Sequence, residues 1–237
     1  MPSVLSTIAG GKRTLLAVAA YAEAEAVAAA FPPGVPDPAP VWRLLPLSDD
    51  VDMVVTAVGK AAAAGGVARV LDPARHGAVL SVGVAGALGP GLRLGDVVLA
   101  DRCELADDGL LSAAGFEDLE RMGFGPFPGM TSGTLPDAGI VTHLRPFAQV
   151  SGPVATVSTC SGTNSAALAW AARAYVAEAM EGAAVALVAA RVGVPFAELR
   201  IISNTTGDRA DQRWDLRGAL DRLTAVLGRL AAQAPGR

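Results

Sequence analysis

Continuous apolar runs that alternate with alanine-rich helical segments limit most strongly what this chain can fold into. Residues 14–20, 51–59, 77–88, 94–103, 153–162 and 196–204 have the pattern of buried strands, and residues 22–31, 60–72 and 215–233 that of helices. Strands buried on both faces and joined by helices form largely parallel sheets covered by helices on both sides. We therefore expect an α/β fold, a single three-layer α/β/α domain over residues 1–237 with a mixed, largely parallel sheet, in which residues 1–12 are a candidate disordered segment.

Two long segments depart from this alternation. Residues 165–193 are helical in pattern at both ends, and the middle, near Met180 and Glu181, is predicted to break. Residues 105–150 contain many Gly and Pro residues and several phenylalanines, which predicts an elaborated loop region. In α/β proteins, ligands bind outside the carboxyl ends of the strands. Functional residues are therefore expected at 21–25, 59–60, 83–87, 158–163 and 203–209.

Composition and spacing exclude several classes of partner. Aromatic residues make up 5% of the chain and the net charge is -4, so neither a single-strand nor a duplex nucleic-acid surface is indicated. The two cysteines, Cys103 and Cys160, have neither disulfide nor metal-site spacing, and His76 and His143 lack partner ligands nearby, so no metal site is predicted.

The basic pair at residues 12–13, followed by "TLLAVAAYA", imitates a short signal peptide. A first strand that runs into a helix fits better, because Glu23 and Glu25 follow at once. The apolar run is too short to cross a bilayer, so no membrane association is predicted and we expect a cytoplasmic protein.

The candidate functional residues are carboxylates and amides, because no P-loop, GxGxxG or GxSxG motif occurs. Glu25 lies just past the first strand. Glu181 precedes a long apolar run, where a charge is costly unless a polar group meets it. Arg200 is embedded in an apolar strand, where an arginine usually has a carboxylate partner. Glu181 and Arg200 are either a structural pair or part of a site, and the sequence leaves both open.

The segment "MEGAAVALVAARVGVPFAELRIISN" (180–204), with "VGK" (58–60) and residues 81–101, resembles the purine nucleosidase and nucleoside phosphorylase superfamily. Within it, "AEAEAV", "EAMEGAAVA", "GVPFAELRIISN" and "GDRADQRW" resemble the futalosine hydrolase family. The likeness covers nearly the whole chain and is weakest at 32–50 and 104–150. It implies hydrolysis of a purine N-glycosidic bond without a cofactor, a nucleoside as the substrate, and a homodimer or a larger even assembly.

The resemblance also implies roles for individual residues. Glu25 falls on the carboxylate that activates water, with Glu23 as the reserve choice. Arg200 is expected to be among the substrate-binding residues and to orient its neighbours. The substrate is expected to meet the ribose-binding pair Met180 and Glu181, the turn Val84, Ala85 and Gly86, and the base-covering segment Gly162 and Thr163. Val84 replaces a serine that methylthioadenosine nucleosidases usually have, and their base-covering aromatic residue is absent.

Asn204 ends the last strand with an amide rather than a carboxylate. An amide can donate to the C6 oxygen of hypoxanthine and accept from a protonated N7, whereas an aspartic acid suits the C6 amine of adenine. Asn204 therefore fits a 6-oxopurine leaving group, unless it merely caps the turn at Gly207. A methylthioadenosine nucleosidase, a 6-oxopurine phosphorylase and a non-catalytic nucleoside-binding protein stay open as alternatives.

Overall fold

The computed structural model describes residues 2–32, 39–89, 91–125 and 133–232. The helices in these ranges are α1 Val4–Ile8, α2 Tyr21–Ala29, α3 Lys60–Val70, α4 Ala138–Leu144, α5 Asn164–Ala172, α6 Gly182–Val192 and α7 Leu216–Ala231. The strands are β1 Arg13–Val18, β2 Leu44–Pro46, β3 Val51–Val55, β4 His76–Ala87, β5 Val97–Leu105, β6 Gly109–Ser112, β7 Gly115–Asp118, β8 Gly133–Thr134, β9 Val150–Thr156, β10 Ala177–Ala179 and β11 Phe196–Thr205.

One mixed sheet organises the molecule. Its strands follow the order β2-β3-β1-β4-β11-β5-β9-β10, β8 pairs with β5, and β10 also returns to pair with β4. The pairings β1–β3, β1–β4, β4–β11, β5–β9 and β9–β10 are parallel. The pairings β2–β3, β5–β11, β5–β8 and β4–β10 are antiparallel. The sheet is therefore mixed and largely parallel, as the sequence predicts.

Helices cover both faces of this sheet. Along β1, Leu16 and Val18 belong to one core cluster and Leu15 and Ala17 to the other, because successive side chains of a strand point to opposite faces. Helices α2 and α7 pack together, as do α3 and α6, and each pair contributes to a different cluster. The three-layer α/β/α prediction is confirmed.

The predictions for three local segments have different outcomes. The break near Met180 and Glu181 is confirmed, and it contains the strand β10, which the pattern did not indicate. The 105–150 segment is more than a loop, since its described part carries strands β6 to β8 and the helix α4; Phe127 lies outside the described residues. The candidate disordered segment 1–12 is a wrong prediction, because α1 lies within it and Leu5 is fully buried.

Asp52 on β3 is a fully buried carboxylate near the amino ends of β1 and β4. It accepts hydrogen bonds from Arg13 Nε at 2.8 Å, Arg75 Nε at 2.6 Å and His76 Nε2 at 3.1 Å. The imidazole donates through Nε2 because its Nδ1 accepts from the Asp72 N–H. Burial opposes ionisation of Asp52, but the bonds from His76, Arg75 and Arg13 outweigh it and lower the pKa.

We expect Asp52→Asn to lower the free energy of unfolding by about 3 kcal/mol, because it leaves the buried His76 ring and the Arg13 and Arg75 guanidiniums without their carboxylate. Urea unfolding at neutral pH measures this. Asp50→Asn is the matched control, because Asp50 is exposed, and it should change stability by about 0.5 kcal/mol at most. Equal stability of the two variants would contradict the structural role of Asp52.

Candidate active site

Two adjoining cavities open beside the carboxyl ends of β1, β4, β10 and β11. The Gln212 cavity, about 290 Å³, is lined by Gly86, Cys160, Ser161, Gly162, Glu178, Asn204, Arg209, Gln212 and Trp214. The Glu181 cavity, about 200 Å³, is lined by Ala19, Ala20, Glu23, Val58, Val84, Ala85, Gly86, Cys160, Glu178, Ala179, Met180, Glu181, Ser203, Asn204 and Trp214. Together they fall within the size range typical of a small-molecule site.

Glu23 projects from the first turn of α2 into the Glu181 cavity. Its Oε2 accepts from the backbone N–H groups of Ala19 and Ala20 at 3.0 and 2.9 Å, and its Oε1 accepts from the N–H of Val84 at 2.8 Å. These bonds fix the carboxylate between the end of β1 and the end of β4. A side chain at Gly83 would place its Cβ 2.3 Å from Glu23 Oε1, so this glycine provides the space.

The structure does not bring Glu25 to this site. Its side chain is exposed, and it lines neither cavity, whereas Glu23 is only 5% exposed. Residues two apart on a helix lie about 200° apart around its axis, so only one of the two glutamates can face the cavity. Glu23, the reserve choice, therefore replaces Glu25 as the candidate for the carboxylate that activates water.

Glu181 lines the cavity and also pairs with Arg200, so both possibilities that the sequence left open apply. Its Oε1 accepts from the N–H of Gly59 at 3.1 Å, and its Oε2 accepts from the N–H of Met180 at 3.3 Å. Arg200 Nη1 lies 3.4 Å from Oε2. Burial raises the pKa of Glu181; Arg200 opposes the rise and the nearby Glu23 carboxylate adds to it.

Arg200 lies behind the cavity rather than in its lining. It is 1% exposed, and its Nε donates to Glu198 Oε1 at 2.8 Å while its Nη2 donates to Ser81 Oγ at 2.9 Å. The prediction that Arg200 binds substrate is therefore not met by the geometry. It acts as a buried counter-charge, and Glu198, which the sequence reading overlooked, is its closest carboxylate partner.

Asn204 faces both cavities from the end of β11. A register shift between Ile202 and Asn204 pairs Asn204 with Gly86 of β4. Its Nδ2 donates to Thr205 O at 3.0 Å, and its Oδ1 accepts from Ser203 Oγ at 2.9 Å. Because a carbonyl oxygen only accepts, the contact with Thr205 fixes which side of the amide carries the NH₂ group.

Glu178 is a cavity residue that the sequence reading missed. It is 4% exposed, and it accepts from Ser161 N at 2.8 Å and from Ser161 Oγ at 2.6 Å. Burial raises the pKa of Glu178, and the two Ser161 bonds oppose the rise. The sequence shows a glutamate three residues before Glu181 in "EAMEG". A helix assignment for this segment gives no reason to place that glutamate at a site.

Most of the other predicted residues line one of the two cavities, and one of them does not. Val84, Ala85, Gly86 and Met180 line the Glu181 cavity, and Gly162 lines the Gln212 cavity. Thr163 does not line either; its exposed side chain caps α5 by accepting from the Ala166 N–H. The structure therefore does not bring the Thr163 side chain to either cavity.

The loop 206–214 folds back over the end of β11. Thr205 N donates to Arg213 O at 3.0 Å, and Asp215 N donates to Ser203 O at 2.8 Å, which closes the fold-back. Gln212 ties the loop to the cavity wall by donating to Ser161 O at 2.9 Å, and the Arg209 guanidinium lies 4.7 Å from the Trp214 ring centroid. The sequence offered these residues only as part of the likeness in "GDRADQRW".

Among the described residues, no helix is long and apolar enough to span a membrane, and no cluster of three His, Cys, Asp or Glu side chains could hold a metal.

Cys160 is exposed at the point where the two cavities meet. Its partial burial and the carboxylates of Glu178, Glu181 and Asp107 raise its pKa to about 11. The thiolate is the reactive form, and only on the order of one thiol in a thousand is ionised at pH 8 with such a pKa.

We expect iodoacetamide to alkylate Cys160 at pH 8 at least about tenfold more slowly than a free cysteine peptide, followed by mass spectrometry. Cys160→Ser is the control and should stay unlabelled, because Cys103 is buried. Labelling at the rate of the free peptide would show that the carboxylates do not act on this thiol.

Residues 47–233 match the family model described as the phosphorylase superfamily. A futalosine hydrolase from Streptomyces coelicolor is 38% identical over 92% of this chain and 94% of its own length, and one from Acidothermus cellulolyticus is 36% identical over 93% and 91%. Among solved structures, the 5′-methylthioadenosine/S-adenosylhomocysteine nucleosidase from Neisseria meningitidis, in complex with methylthio-immucillin-A, superposes with a TM-score of 0.73 at 20% identity, over 92% of this chain and 98% of that one.

Proposed function

Because the chain belongs to the phosphorylase superfamily and, within it, to the futalosine hydrolases, we propose that it hydrolyses the N-glycosidic bond of futalosine in menaquinone biosynthesis. The products are hypoxanthine and dehypoxanthine futalosine. The observation that carries this proposal is the cavity that joins an amide, Asn204, to two buried carboxylates, Glu23 and Glu181. An amide for the base, a carboxylate for the ribose and a carboxylate for water are the parts that the reaction requires.

Asn204 holds the 6-oxopurine. One hydrogen of its NH₂ group is used by Thr205 O, and the second is free for the C6 oxygen of the base. One lone pair of Oδ1 is used by Ser203 Oγ, and the second accepts from N7–H once the departing base has taken up a proton from solvent water at N7. As the glycosidic bond breaks, electron density moves onto the base, and these hydrogen bonds strengthen at that point. An amide does not protonate the leaving group; it positions and stabilises it.

Glu23 activates the attacking water. A carboxylate offers about four lone-pair positions, and three in Glu23 accept from the backbone N–H groups of Ala19, Ala20 and Val84. The fourth is available for a water molecule in the cavity. The water loses its proton to Glu23 as it attacks the anomeric carbon, which is general-base catalysis.

Glu181 binds the ribose hydroxyls. Gly59, Met180 and Arg200 fix its orientation, so its carboxylate is already in place for the sugar. Glycosidic cleavage proceeds through a transition state with positive charge on the sugar ring. Glu23 and Glu181, both lining the cavity beside such a ring, stabilise that charge more in the transition state than in the ground state, which lowers the barrier.

Water rather than phosphate fits this site. Arg209 is the one cationic residue among those that line the two cavities of the described structure. Arg200 is buried behind the lining, and Lys60 is paired with Asp107 and Asp108. A phosphorylase needs a cluster of donors and cations for its anion, and the Glu23 carboxylate repels one.

We also propose that the substrate is a small-molecule nucleoside and that the protein assembles as a homodimer or a larger even oligomer.

The direct test is incubation with futalosine, inosine and methylthioadenosine, with and without phosphate, with the free base as the readout. Release of hypoxanthine from futalosine at a rate independent of phosphate is expected. Release that depends on phosphate would identify a phosphorylase, and no release from any nucleoside would favour a binding protein.

We expect Glu23→Gln to reduce kcat by about 10²-fold or more, because the amide cannot take the proton from water. Glu25→Gln is the matched control, since it makes the same change two residues away on the exposed side of α2 and should keep near-normal activity. Thermal melts establish that both variants are folded. Loss of activity in Glu25→Gln with retention in Glu23→Gln would reverse the assignment.

Asn204→Asp should change which base is preferred. An ionised aspartate has no hydrogen to donate to the C6 oxygen, and a protonated one suits a C6 amine with an unprotonated N7. We expect kcat/KM for futalosine, relative to its 6-amino analogue, to fall by about 10²-fold, since leaving buried polar groups unpaired gives large discrimination. The ratio cancels general damage to the fold, and an unchanged ratio would mean that Asn204 does not contact the base.

A further inference from the structure

Glu178 and Asn204 face each other across a glycine. In the sheet, Gly86 of β4 is the register partner of Glu178 on β10 and of Asn204 on β11. Register partners on adjacent strands project from the same face of a sheet, and two strands apart their Cα atoms are spaced by roughly 10 Å. Both side chains line both cavities. The gap between them is therefore part of the site.

Gly86 forms the floor of this gap. A Cβ atom built on it would lie 2.9 Å from Thr206 Cγ2, 3.1 Å from Asn204 Nδ2 and 3.4 Å from Glu178 Cγ. The two polar side chains thus approach the same point from opposite sides, and only a residue without a side chain leaves room above the backbone. A flat ring placed over Gly86 can meet the amide and the carboxylate at neighbouring atoms of one edge.

The environment of Glu178 leaves half of its hydrogen-bonding capacity unused. The Ser161 N–H and hydroxyl each occupy one lone pair on a different carboxylate oxygen, and a carboxylate offers about four. None of the ion pairs between described residues includes Glu178. A carboxylate that is 4% exposed is costly without a cation or further donors, so its presence beside the cavity calls for a donor from the ligand.

We propose that Glu178 is a specificity-determining residue that accepts a hydrogen bond from N1–H of the 6-oxopurine, opposite the amide of Asn204. This inference rests on the proposed function. Hypoxanthine carries a donor at N1 next to its C6 oxygen. A carboxylate at N1 and an amide at the C6 oxygen and N7 therefore complement it. Adenine has an unprotonated N1, whose lone pair faces the carboxylate and is repelled by it.

Glu178 therefore supplies a second, independent check on the base. Asn204 reads the C6 substituent and N7, whereas Glu178 reads whether N1 carries a hydrogen. Hydrogen bonds to a charged acceptor are the stronger ones, and the loss of one leaves a buried charge unpaired. The two residues together reject an adenine base at more than one atom.

The test measures the binding of three free bases, hypoxanthine, 1-methylhypoxanthine and adenine, by titration calorimetry. 1-Methylhypoxanthine keeps the C6 oxygen and N7 but has no hydrogen at N1. The wild-type protein is expected to bind hypoxanthine about ten- to a hundredfold more tightly than either other base. In Glu178→Ala the preference over 1-methylhypoxanthine should fall to about threefold or less, because the acceptor is gone and the methyl group has space.

Two further variants separate base recognition from structural damage. Ser161→Ala removes the hydroxyl donor to Glu178 but keeps the carboxylate, so it should retain the preference for hypoxanthine. Glu178→Gln keeps a carbonyl that accepts from N1–H and adds an NH₂ group that can donate to N1 of adenine. It should therefore keep the preference over 1-methylhypoxanthine and lose at least about tenfold of the preference over adenine, even if Glu178→Ala fails to fold.

Equal weakening of all three bases in Glu178→Ala, or a wild-type protein that binds hypoxanthine and 1-methylhypoxanthine equally, would overturn the proposal. Hydrolysis of futalosine by the same wild-type preparation is measured in parallel. A protein that discriminates the bases but leaves futalosine intact contradicts the proposed reaction alone. One that hydrolyses futalosine without discriminating at N1 contradicts only the role of Glu178.

Discussion

A single buried arginine holds the acidic site together. Arg200 is 1% exposed and lies within reach of Glu198 at 2.8 Å and of Glu181 at 3.4 Å, with Glu23 close enough to act on it electrostatically. Burial raises the pKa of Glu181, and the positive charge of Arg200 opposes that rise. Because Arg200 lines neither cavity, it acts on the site through its neighbours.

The sequence predicts the frame of the site better than its exact members. The carboxyl ends of the strands, the Met180–Glu181 break and Asn204 are all at the cavity, because strand ends in an α/β fold are fixed by apolar runs that are visible in sequence. The choice between Glu23 and Glu25 depended on where α2 begins after β1. Helix ends are uncertain by one or two residues, and each residue rotates a side chain by about 100° around the helix.

Other residues escaped because their positions depend on tertiary pairing. Glu178 lies on β10, a three-residue strand inside a segment whose alanine-rich composition favours helix, and its extended conformation comes from pairing with β9 and β4. Arg209, Gln212 and Trp214 reach the cavity only because the loop 206–214 folds back on β11. Local sequence patterns carry no information on such long-range contacts. A buried pair such as Arg200 and Glu181 is different, because charged residues within apolar segments indicate it.

The short strand β10 brings Glu178 to the two cavities. Because it pairs with both β9 and β4, the strands β4, β11, β5, β9 and β10 form a closed ring within the sheet. The closure places a residue of β10 directly across β4 from the end of β11, which an open sheet ending at β9 would not do. Gly86 lies at the crossing, and the absence of its side chain leaves space beside Glu178 and Asn204. The 6-oxopurine specificity that we propose therefore depends on sheet closure at one glycine, which brings a carboxylate and an amide into the same cavities.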